Sequence, residues 1–77
     1  MTVQEFRKTD DYKEALNKIK GYSKGFEFTL DYSKIPKKKG NALKIIMRDC
    51  IEEKIIESVS IGLSLEGEQT EETFRRL

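Results

Sequence analysis

Tyr12, Ala15, Leu16 and Ile19 recur at i, i+3, i+4 and i+7, which is the apolar stripe of one helix. Thr9 or Asp10 can cap its start, with Asp11 in the first turn. Lys18 and Lys20 fall in its last turn, and Gly21 can take a left-handed position after it. A helix over residues 9–20 is predicted. Upstream, Thr2 and Glu5 have the spacing of a capping box. Residues 2–6 therefore read as a short helical turn carrying Val3 and Phe6, although TVQEF also alternates well enough for an edge strand.

The period then changes to two. In residues 26–32, Phe26, Phe28, Leu30 and Tyr32 alternate with Glu27, Thr29 and Asp31. A strand with one apolar face is predicted, in a sheet covered on one side. After Pro36 the helical period returns. Asn41 is a good N-cap, and Leu43, Ile46, Met47, Cys50 and Ile51 form a continuous stripe. This predicts a helix over 41–54, with Arg48, Asp49, Glu52 and Glu53 on its outer side. A second one-sided strand is predicted over 58–65, where Val59, Ile61, Leu63 and Leu65 alternate with Ser58, Ser60, Gly62 and Ser64. Gly62 marks a bulge or a close backbone approach. Thr70 then reads as the cap of a short C-terminal helix, with Phe74 and Leu77 on one side.

The expected fold is α+β: a small sheet built around a strand–helix–strand unit, with an N-terminal helix and a short C-terminal helix. A helix of about 13 residues crosses back about 20 Å, enough to make the two strands parallel. Two strands make a poor sheet. The third is expected from residues 2–6 or from a second copy of the chain. With 77 residues, residues 1–77 form a single small domain.

Composition narrows the function classes. Phe, Ile, Leu and Val make up about a quarter of the chain and the net charge is +1, so a folded domain is expected. The core is small and no staple supports it, which makes a homodimer the expected state. There is no histidine, so a Ser–His or Cys–His nucleophile is excluded. The single cysteine, Cys50, lies on the apolar stripe and reads as a buried, inert thiol. The acidic run Glu66, Glu68, Glu71 and Glu72 lacks the spacing of a calcium loop. Gly62 and Gly67 have the spacing of a phosphate loop, but Glu68 stands where its lysine belongs. No catalytic residue, cofactor or metal ligand is assigned, and an enzyme is not expected. One cysteine and no apolar signal stretch after Met1 point to a reducing, cytoplasmic setting. No apolar run approaches the length of about 20 residues that spans a membrane.

Charge supplies the one candidate site. Residues 1–45 hold eleven Lys/Arg against six Asp/Glu, and residues 46–77 hold four against eight. Lys34, Lys37, Lys38 and Lys39 gather around Pro36 ahead of a helix, and Arg75 and Arg76 form a second pair. These six residues are the candidate contacts for an acidic partner or for nucleic-acid phosphates. The pI of 7.8 lies below the value of about 9 that marks dedicated nucleic-acid domains. The expected function is therefore a non-enzymatic intracellular protein-interaction or regulatory module with an unidentified protein partner. A nucleic-acid-binding accessory protein that uses the lysines at 34–39 is the alternative.

Overall fold

The computed structural model describes residues 2–77. Its elements run α1 (Val3–Phe6), α2 (Asp10–Lys20), β1 (Glu27–Asp31), a 3-10 turn (Tyr32–Lys34), α3 (Lys37–Glu52), β2 (Ile56–Leu63) and β3 (Gln69–Arg76). The α+β class holds, and the detail of the sheet differs from the expectation.

The largest difference is the C-terminal segment. It is not a helix capped by Thr70 but β3, the central strand of a three-stranded sheet in the order β1-β3-β2. Both neighbours pair with it antiparallel. β1 and β2 therefore point the same way, as the strand–helix–strand reading implies, but they do not touch. The reason is tertiary. Eight residues cannot sustain a helix alone, whereas the same eight, inserted between two strands, satisfy both of their inner edges. Phe74 then sits opposite Phe28 and Ser58 and is fully buried. Neither residues 2–6 nor a second copy is needed as the third strand. Residues 2–6 hold the predicted helical turn, with the Thr2 hydroxyl accepting from the Glu5 amide at 3.1 Å.

The main helix begins four residues before Asn41. Pro36 occupies its cap position, and Lys37, Lys38 and Lys39 form its first turn rather than a loop. Proline pre-sets the turn into the helix but offers no capping side chain. At the other end the Ile55 amide bonds the Cys50 carbonyl at 2.9 Å and the Lys54 amide bonds that of Ile51 at 3.0 Å. This is a Schellman closure with Lys54 in the left-handed position at φ 59°. The predicted left-handed Gly21 does not occur; it ends α2 with a right-handed φ of −78°.

The core consists of Ile19, Ile46, Met47, Cys50, Ile56 and Phe74. A stack of Tyr22, Phe26, Phe28 and Phe74 rings extends it along the sheet. The molecule measures 36 × 33 × 19 Å, which leaves room for one sheet and one helix layer. Because α3 returns through the Schellman turn straight to Ile56, it covers only the first part of β2. The apolar face predicted from Val59 to Leu65 is consequently not core. Val59, Ile61, Leu63 and Leu65 are 42%, 55%, 65% and 103% exposed. Register slips occur between Ser58 and Ser60 and between Gly62 and Leu63, in keeping with the bulge expected at Gly62. A Cβ on Gly62 would come within 2.5 Å of the Glu71 Cγ, so the strand leaves that space to the glutamate.

Candidate interaction surfaces

The structure divides the six candidate cations. Lys34 lies on the 3-10 turn, 3.9 Å from the Asp31 carboxylate, with its side chain 83% exposed. Lys37, Lys38 and Lys39 are exposed on the first turn of α3. Lys44 and Arg48 are exposed further along the same helix, seven and eleven residues after Lys37, which places all three on one side of it. Residues 37–48 contain five cations and no acid. With no carboxylate in the first turn, three lysines there face the positive end of the helix dipole.

Arg75 and Arg76 do not join this cluster. Arg75 lies one residue from the buried Phe74 and so faces the open side of the sheet. It bridges Glu27 at 2.9 Å and Glu57 at 2.9 Å, which neutralise it and raise its pKa. Arg76 donates to the carbonyls of Ile55 at 3.1 Å, Leu77 at 2.6 Å and Lys20 at 3.3 Å. Arg75 thus ties β3 to β1 and β2, and Arg76 ties it to the end of α2 and the residue before β2.

Sequence reasoning missed a second charged group. Asp49, expected on the outer side of the helix, is buried. It accepts from Arg7 Nε at 2.9 Å, Arg7 Nη2 at 2.8 Å and the Tyr12 hydroxyl at 2.6 Å. The Arg7 bond holds the Asp49 carboxyl below its usual range against an opposing cost of burial. Burial, and then the bond to Asp49, push the Tyr12 phenol up to about 12. At neutral pH both are locked in the forms that bond each other, in a polar hollow of about 460 Å³ between α2 and α3. The signal in the sequence was faint: Asp49 stands between Arg48 and Cys50, at the border of the apolar stripe. Cys50 itself is fully buried, and burial raises its pKa.

A larger groove of about 580 Å³ runs between α3 and the sheet. Met47, Ile51 and Phe74 form its apolar part, and Tyr32, Lys44, Arg48 and Glu72 its polar part. Glu72 is held by Ser58 at 2.6 Å and Gln69 at 2.8 Å. Lys44 Nζ sits 4.9 Å from the centre of the Tyr32 ring. Ile61 and Leu63 pair with Glu72 and Gln69, two residues of the groove wall, so the exposed apolar strip of β2 borders it. Ile51, 39% exposed, faces the same space. Among the described residues β2 pairs with β3 alone, which leaves its outer backbone edge free.

Among the described residues no three His, Cys, Asp or Glu side chains are grouped to hold a metal. No described helix is long and apolar enough to cross a membrane. Comparison with known proteins returned no match to a family model, a curated protein or a solved structure.

Proposed function

We propose that this chain is a non-enzymatic protein-interaction module that takes an added strand on the free edge of β2. One observation carries the reading: Val59, Ile61 and Leu63 stand exposed along an edge strand, with Leu65 just past its end, while the described residues include six buried apolar side chains. From Ser58 to Ser64 the edge holds no lysine, proline or other charge, the devices that keep edges from pairing. Strand addition supplies affinity through the main chain and specificity through alternate side chains. The unbridged Cys50 fits a reducing compartment, and we place the module in the cytoplasm. The test is NMR of the labelled protein against a panel of extended peptides. The expected result is chemical-shift change confined to β2 amides and abolished by Ile61→Lys. Shifts confined to α3, or none with any peptide, would overturn the reading.

A second reading rests on the exposed lysines of α3. Lys37, Lys38, Lys39 and Lys44, with Arg48 and Lys34 beside them, form a basic surface suited to nucleic-acid phosphates, bordered by Asp31, Glu52 and Glu72. Retention on DNA or RNA at about 50 mM salt, lost when Lys37, Lys38 and Lys39 become Glu, supports it. No retention at that salt ends it.

A further inference from the structure

We infer that the strand added to β2 is β2 of a second copy, paired antiparallel about a twofold axis through Ile61. The inference rests on the strand-addition reading above and names its partner. The segment Ser58-Val59-Ser60-Ile61-Gly62-Leu63-Ser64 is a near-palindrome about Ile61. In an antiparallel pair centred there, Ile61 faces Ile61, Ser60 faces Gly62 and Val59 faces Leu63; the register slip after Ser58 turns that residue to the helix side and ends the matched stretch at Val59. An interface between identical surfaces must be complementary to itself, and this one matches small with small and apolar with apolar.

The faces agree as well. Directly opposed residues share a face of a sheet. Ser60 and Gly62 oppose Thr73 and Glu71, which lie on the open side with Arg75. Ile61 and Leu63 oppose Glu72 and Gln69 on the helix side. A centre at Ile61 therefore pairs open-side residues with open-side residues. A centre between two residues would pair opposite faces. The first register slip leaves Val59 without a partner on β3, and the twofold gives it Leu63.

Charge supports the same direction. Lys20, Lys54, Arg75 and Arg76 stand against Glu52, Glu53 and Glu57 around the start of β2, a small basic excess, and Arg76 bonds the Ile55 and Lys20 carbonyls there. Glu66, Glu68 and Glu71 surround its end. Antiparallel pairing lays each start, with its small basic excess, beside an acidic end, twice over. The result is a closed, six-stranded sheet. Its outer edges are the five-residue β1 strands, guarded by Glu27 and Asp31. Five paired residues, Val59 to Leu63, bury less than the ~800 Å² per partner of a standard interface, so the dimer forms only at high concentration.

Sedimentation equilibrium from about 10 to about 500 µM tests this, since mass action must show in the mass. A shift from one copy to two is expected. Ile61→Lys, which sets like charges face to face at an exposed position, should keep the protein monomeric with an unchanged melt at low concentration. Register has its own readout. Opposed Cα atoms about 4.5–5.5 Å apart suit a disulfide. Ile61→Cys should therefore cross-link by itself under mild oxidant, whereas Val59→Cys and Leu63→Cys should cross-link only when mixed. A strict monomer over the whole range, a dimer that survives Ile61→Lys, or another cross-linking pattern overturns the inference. If the protein is monomeric while extended peptides still shift β2 amides, only the identity of the partner falls. If the peptides fail too, the strand-addition reading falls with it.

Discussion

Asp49→Asn removes the charge that ties the two N-terminal helices to α3 while keeping the side chain's shape. Three hydrogen bonds end on this carboxylate, two from Arg7 and one from Tyr12. Asparagine turns one acceptor oxygen into an NH₂ that confronts those donors. Bonds to a charged group are worth about 1.5–3 kcal/mol each. Three added together would rival the entire stability of a 77-residue domain, about 4–12 kcal/mol. Simple addition therefore overshoots. The Asp49 side chain is 12% exposed but that of Arg7 is 36% exposed and recovers water when released. A loss of about 2–3 kcal/mol is expected, below the ~3–5 kcal/mol for breaking a fully buried pair. Urea unfolding at a series of pH values measures it. Because the folded-state pKa is depressed, the contribution is whole above the ordinary value of 3.8 and fades as pH falls through the lower folded value. Wild type and variant should converge in acid. A difference below about 0.5 kcal/mol at neutral pH, or one that persists undiminished at about pH 2, would refute the account.

Three further outcomes follow from the packing. Phe74→Ala should cost about 3–5 kcal/mol in the same urea assay, because the ring is fully buried on the central strand; a cost near that of an exposed site such as Phe26→Ala would contradict β3. Lys54→Gly should stabilise by about 1 kcal/mol, since lysine is held at φ 59° where glycine rests without strain; a lower urea midpoint would show that the lysine side chain contributes more than its backbone costs. On the alkaline side, the Tyr12 contribution should be whole below pH 10.0 and fade as pH rises toward about 12, where the folded phenol ionises, and Tyr12→Phe should lessen the decline while leaving the part that Cys50 and Tyr32, also raised by burial, impose.

The helices and β1 were legible because their periodicity is local and their caps are written in side chains. Thr9 caps α2 through the Tyr12 amide, as its position implies. Errors arose where a local signal met a tertiary demand. Thr70 followed by Glu71 and Glu72 is a respectable helix start, and Thr73-Phe74-Arg75 is an equally respectable strand. Only the need to fill the space between β1 and β2 decides between them. A clue was available in Leu65-Glu66-Gly67-Glu68, a short glycine-bearing link between two runs of strand length. In the structure the Gly67 amide bonds the Ser64 carbonyl at 2.9 Å, with Gly67 at φ 83°. The start of α3 lies earlier than expected because Asn41, a good N-cap residue, stands inside the helix, and the three lysines before it form the first turn despite their conflict with the dipole. The candidate lysines were found as residues, but Lys44 and Arg48 join them only once the helix is extended.

The size of the apolar strip constrains what can dock on it. Val59, Ile61 and Leu63 are about half exposed, so covering each contributes about 1 kcal/mol. Their sum falls short of the ~4–15 kcal/mol that association costs in lost freedom of motion. A helix laid on the strip, or a small apolar molecule, would gain little more than this sum and leave the outer amides and carbonyls of β2 covered without partners. Each such group loses about 1–3 kcal/mol when it is desolvated unbonded. An extended strand reverses that sign, because the same backbone groups acquire hydrogen bonds as they leave water. The exposed side chains select the register and the backbone edge supplies the remainder. On the strand-addition proposal, the free edge of β2 and the strip beside it act as one site, and a ligand that presents a strand is the one these energies favour.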